Sequence, residues 1–193
     1  ELDAVSEVPR YYVYNAYGVC GIYSAPGTAV KEAYDTSGIV TNDRGVTVWL
    51  KGNRVSRNQI MAIKEESVTE QKNSLAVCLD NILRHAGITR NTEYDLAQGK
   101  TATTILSENM TGVQVLDLSG CTLDAVLYYV NQDIPVLAIL DDGEAVLVTG
   151  FNEFNVVIME PSTGKLYKKG MNDATAWFAE NGNHFVTYMR VEN

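Results

Sequence analysis

Basic clusters, long apolar runs and regularly spaced cysteines are all missing from this chain of 193 residues, and each absence removes a class of function. Fifteen lysines and arginines stand against 24 aspartates and glutamates, a net charge of −9, with no basic cluster beyond Lys168-Lys169. That balance argues against nucleic acid and against anionic membrane surfaces as partners. No apolar run approaches the roughly 18 to 20 residues that cross a bilayer, so no transmembrane segment is expected. The three cysteines, Cys20, Cys78 and Cys121, are odd in number and lack metal-type spacing, so neither a metal nor another cofactor is expected. Internal repeats and low-complexity segments are absent as well. The chain opens Glu1-Leu2-Asp3, which reads as a processed product or a piece of a longer chain, and the lack of a leader then carries no information.

What is present is enough apolar residue, 46% of the chain, to bury a sizeable core. Two regions differ in texture. Residues 10–52 are strand-rich: Tyr11 to Tyr14, Gly18 to Tyr23, Gly38 to Val40 and Val46 to Leu50, with one short helix over Ala29 to Tyr34 entered through Pro26-Gly27-Thr28. Proline early and glycine just past the end punctuate that helix. The result is a small α/β unit, only marginally stable alone and therefore expected to dock on the larger region C-terminal to it. Its tyrosines (Tyr11, Tyr12, Tyr14, Tyr17, Tyr23) suit sheet faces. The boundary is placed at 52/53, giving a first unit over 1–52 and a larger domain over 53–193. A polar linker runs to Asn73, with a short helix expected over Ser56 to Ile63, capped by Ser56 with Gln59 three residues on.

The larger region begins with a helix around Leu75 to Ala86, closed by Gly87. Leu75, Leu79, Ile82, Leu83 and Ala86 make its apolar stripe, and Ser74, Cys78, Asn81 and His85 fall on an adjoining face. Helical segments come next over Asn91 to Gln98 and Thr101 to Leu106, then a strand over Val113 to Leu118. Thr122 is an N-cap for a helix over Leu123 to Val130. Strands are expected over Ile134 to Leu140, Ala145 to Gly150, Phe154 to Met159, Lys165 to Tyr167 and His184 to Val191, with a last helix over Asp173 to Glu180. Asp141-Asp142-Gly143 supplies the first hairpin turn. Helices first and an antiparallel sheet after make an α+β arrangement.

The order of these blocks carries a resemblance. Asn73-Ser74-Leu75-Ala76-Val77-Cys78-Leu79 opens a helix that glycine closes. Gly143-Glu144-Ala145 leads a strand ending Gly150-Phe151-Asn152, and Glu160-Pro161 comes after the next strand. From Gln71 to Arg190 the chain resembles the bacterial papain-like cysteine peptidases that remove double-glycine (bacteriocin) leaders, which implies a papain-like fold preceded by the small unit. In that family a cysteine opens the helix, a histidine precedes the first hairpin strand and an aspartate precedes the proline. Here Ser74, Glu144 and Glu160 stand at those positions. Gln71 is the candidate for the oxyanion glutamine, though it lies closer to Ser74 than the family spacing.

Such a site depends on a thiolate held by a helix N-terminus and a neighbouring imidazolium, with a third polar group orienting the imidazole. A carboxylate at residue 144 is a weak base for a hydroxyl and can never be the cation that steadies a thiolate. The resemblance therefore implies a catalytically degenerate member: a non-catalytic module of a larger bacterial surface or secreted protein, extracellular, binding a peptide or protein or serving structure. The alternative is a cysteine peptidase whose nucleophile has been replaced by Ser74. Plainer roles compete at each position. Ser74 caps the helix or follows Asn73 as the cap, Glu144 is a solvated turn residue, and Glu160 begins a turn. Cys78 is a core residue. His85 meets the dipole at its helix end, and His184 opens a strand. Cys78 and His85 are about 10.5 Å apart along the helix axis, too far for a hydrogen-bonded dyad.

Overall fold

The computed structural model describes residues 8–51 and 63–191. The Ser56–Ile63 helix and the boundary at 52/53 fall at or within 52–62, outside the described residues; Ile63 itself is buried and not helical.

The first unit is two hairpins joined by a helix. Strands β1 (Tyr11–Asn15) and β2 (Gly18–Tyr23) pair antiparallel, and Gly18, at φ +113°, supplies a backbone angle in their turn that a side chain would oppose. Helix α1 (Pro26–Thr36) carries proline in its first turn. Its left-handed exit residue is Ser37, at φ 55°, rather than Gly38. Gly38 is needed for another reason: a Cβ there would lie 2.6 Å from the Tyr14 carbonyl. Strands β3 (Ile39–Asn42) and β4 (Thr47–Leu50) complete an antiparallel sheet of order β2-β1-β3-β4.

The larger region opens with α2 (Ser74–His85), α3 (Glu93–Ala97) and α4 (Ala102–Asn109), then β5 (Val113–Asp117) and α5 (Leu123–Val130). Side-chain caps on three of these helices come from Asn73, Thr101 and Thr122, each accepting a backbone N–H from the first turn. Strands β6 (Val136–Ile139), β7 (Ala145–Phe151), β8 (Asn155–Glu160) and β9 (Lys165–Gly170) come next, then α6 (Met171–Glu180) and β10 (Phe185–Arg190). The sheet order is β5-β10-β6-β7-β8-β9, every pairing antiparallel. Strand β7 is buried along its whole length, packed by both α2 and α5. That double coverage explains why Ala145 to Phe151 reads as one apolar run rather than an alternation.

The two sheets share one hydrophobic core. Trp49 donates its indole N–H to the Ala125 carbonyl at 2.9 Å, and the Tyr129 hydroxyl donates to the Val48 carbonyl at 2.7 Å. Gln114 on β5 bridges Tyr11 and Asn42 of the first unit. The buried Cys121 thiol donates to the Gly27 carbonyl at 3.2 Å. Burial pushes that thiol from 9.0 up to about 12. A pKa raised on folding favours the protonated form, so its contribution is complete below about pH 9 and lost as pH climbs towards 12. Raising the pH from about 8 to about 11 should therefore cost about 2–3 kcal/mol through this group. Urea unfolding of the wild type and of Cys121→Ala at both pH values checks it, the variant losing correspondingly less.

Candidate functional site

The head of α2 decides what the site can do. Asn73 is the N-cap: its side chain accepts the Ala76 N–H at 2.9 Å, which leaves Ser74 as the first helical residue. Ser74 is only 2% exposed, and its Oγ accepts the Ala145 backbone N–H at 2.8 Å. The helix head is thus fastened to the first residue of β7, beside Glu144. Glu144 is exposed, at the end of a turn in which Gly143 takes φ +85° and the Glu144 N–H meets Asp142 Oδ1 at 2.9 Å.

Glu160 ends β8, the strand paired with β7, so the sheet carries the first two positions to the third. Its carboxylate is occupied within its own hairpin. Oε2 accepts the Tyr167 hydroxyl at 3.0 Å and Oε1 the Ser162 hydroxyl at 3.2 Å. Tyr167 sits one diagonal step from the Glu160–Lys165 pair, on the same face. Burial, and then the bond to Glu160, push the Tyr167 hydroxyl strongly up, so it stays a donor at neutral pH.

Cys78, one turn inside the helix, is fully buried. Burial first, and the negative charge of Glu144 second, push its pKa well above 9.0. A histidine at position 144 would act in the opposite sense. Gln71 is exposed, and its backbone N–H donates to Thr69 Oγ1 at 3.3 Å. His85 lies at the far end of α2, its Nε2 3.0 Å from the Asp133 carbonyl. His184 precedes β10, where its carbonyl accepts the Ile139 N–H. Neither histidine lies at the helix head. Among the described residues no group of three or more His, Cys, Asp or Glu could hold a metal ion, and no helix is long and apolar enough to cross a membrane.

The segment leading into α2 packs against the turn after Glu160. Val68 N–H donates to the Pro161 carbonyl at 3.1 Å, and a Cβ on Gly164 would collide with the Ser67 hydroxyl. Asp80 anchors the same segment from inside α2, where its buried carboxylate meets Lys72 and Thr92. These anchors had no sequence signal beyond a charged residue in the middle of a helix.

The fold has a counterpart among solved structures. A C39-like peptidase candidate from Bacillus anthracis superposes with a TM-score of 0.57 at 13% identity, covering 74% of this chain and 100% of that one. The fold is papain-like. At that identity the likeness concerns the fold alone. No family model matches the chain, and no curated protein does. Within this papain-like fold the head of α2, the start of β7 and the end of β8 make up one corner. The structure brings Ser74 to the backbone beside Glu144, and it commits Glu160 to Tyr167.

Proposed function

We propose that this chain is a peptidase-like domain that does not cut peptides, and that it works as a peptide- or protein-binding or structural module of a larger bacterial surface or secreted protein. One observation carries the non-catalytic part: Ser74 is buried, with its Oγ accepting from the Ala145 N–H. A nucleophile must be open to substrate and have a base within hydrogen-bond reach. Ser74 is closed off, and the neighbouring position offers a carboxylate where an imidazole is needed. Oxygen and sulfur could both occupy the position, but Glu144 disfavours a thiolate there just as it does at Cys78. The surface or secreted placement rests on the family resemblance.

The test is Ser74→Cys. The new thiol should react with iodoacetamide more slowly than the exposed Cys20 by at least about tenfold. Incubation with peptides bearing a double-glycine sequence should leave them intact. Thiol-dependent cleavage by Ser74→Cys would overturn the reading in favour of a peptidase with a substituted nucleophile.

A further inference from the structure

Helix α1 covers one face of the four-stranded sheet, where Tyr11, Val13 and Val40 are buried. The other face is turned outward. Tyr14 on β1 stands directly opposite Val19 on β2 and Ile39 on β3, and Ile39 stands opposite Leu50 on β4. Residues directly opposite share a face, so these four make one row across the whole sheet. All four are exposed, by 36% to 53%. A second row, Ile22, Tyr12, Thr41 and Thr47, runs beside it, with Ile22 56% exposed. None of the eight side chains carries a charge, in a chain where 20% of residues do.

The solvent face of an antiparallel sheet is ordinarily polar, and a contiguous apolar patch of a few hundred Å² marks an interaction site. Four strands at a spacing of about 4.8 Å, each about five residues of about 3.4 Å, give this face a footprint of roughly 300 Å². The open edge beside it is a poorer docking place. Val13 pairs with Gly21 and Tyr14 with Val19, so Cys20 is the extra residue of a bulge, and a bulged edge resists the addition of a strand.

Charge and shape then select the occupant. At a net charge of −9, copies of this chain repel one another over most of their surface, and an uncharged face is where that cost is least. A symmetric contact needs a patch complementary to itself. A two-fold axis along the strands, between β1 and β3, lays Tyr14 on the second copy's Ile39 and Val19 on its Leu50. Apolar row then meets apolar row, whereas an axis across the strands would set Ile39 and Leu50 on Thr41 and Thr47. We propose that this face joins two copies of the chain as a symmetric dimer, sheet packed on sheet in the aligned manner. Closing the two faces removes on the order of 1,000–1,200 Å² in all, near the lower limit of specific interfaces. The dimer is therefore weak, with a dissociation constant of about 10–100 µM.

Sedimentation equilibrium from about 5 to about 500 µM should show reversible monomer and dimer. Ile39→Lys, at an exposed position, makes the chain less negative and so does not add to the overall repulsion, yet it should weaken the dimer at least about tenfold. Phe154→Lys, equally exposed but outside this face, should leave it unchanged. Raising the salt from about 0.05 to about 0.5 M should hold or tighten the dimer by screening the repulsion. In a Cys20→Ser background, copies carrying Val19→Cys should cross-link with copies carrying Leu50→Cys faster than with their own kind. A wild type that stays monomeric to about 500 µM would overturn the proposal and leave the face to a different protein or to another part of the same polypeptide. A dimer indifferent to Ile39→Lys, one weakened by salt, or cross-links chiefly of like with like would overturn it too. None of these outcomes depends on whether Ser74→Cys cleaves peptides.

Discussion

Asp80→Ala should destabilise the protein by about 3–5 kcal/mol and lower its thermal midpoint by on the order of 10 °C. Asp80 lies in the middle of α2 with its side chain 0% exposed. One carboxylate oxygen takes Lys72 Nζ at 2.7 Å; the other accepts the Thr92 N–H at 2.8 Å and the Thr92 hydroxyl at 2.7 Å. Charge-assisted bonds in a buried place are the strong kind. Alanine would leave the Thr92 N–H without its acceptor and the Lys72 ammonium half-buried and unpaired. The bond to Asp80 raises the Lys72 pKa above its usual 10.5. The stabilisation from that bond is therefore complete at neutral pH and fades only as pH rises past about 10.5.

Equilibrium urea unfolding near neutral pH measures the loss. A cost below about 1 kcal/mol would put this pair in the class of exposed ion pairs and refute the assignment. The effect should also reach the candidate site. Asp80 holds the end of the lead-in segment through Lys72, and Val68 in that segment bonds to Pro161 beside Glu160. Introducing Asp80→Ala into Ser74→Cys should therefore speed labelling of the buried thiol.

Trp49→Ala carries the second large effect, about 3–5 kcal/mol. Trp49 is 3% exposed, packs at a tilt between Tyr34 and Tyr128, and gives its N–H to the Ala125 carbonyl. Truncation removes a large apolar side chain and a buried hydrogen bond from the seam. Because one hydrophobic core runs through both sheets, the first unit and the rest should unfold together. The chain holds only two tryptophans, Trp49 at the seam and Trp177 on α6. Fluorescence of Trp49→Phe and Trp177→Phe variants follows the two regions separately, and their transitions should coincide once corrected for stability. Separate transitions would instead support two independent units divided near 52/53.

Much of the fold was legible in local chemistry. The helix after Asn73, the Thr122 cap and the Asp141-Asp142-Gly143 turn are set by neighbours within a few residues, which is why they can be read in order along the chain. The blocks around Ser74, Glu144 and Glu160 implied the papain-like arrangement that the sheet order then displays. Local reading failed where a residue serves a distant partner. Gly38 looks like a helix terminator, yet it matters because β1 passes against it, and Ser37 takes the left-handed angle. Tyr167 gave no sign that it would occupy the Glu160 carboxylate.

By itself, the sequence determined the succession of elements, their caps and turns, and the residue types at the three positions that the family resemblance singles out. Those arise from periodicity and from short-range hydrogen bonding, which depend on few neighbours. Only the tertiary structure decided that Ser74 is buried against Ala145 and that Asp80 joins Lys72 and Thr92. Each of those meetings spans elements whose relative placement is fixed by packing layers of helix and sheet around a common core, a property of the whole chain that no local window contains.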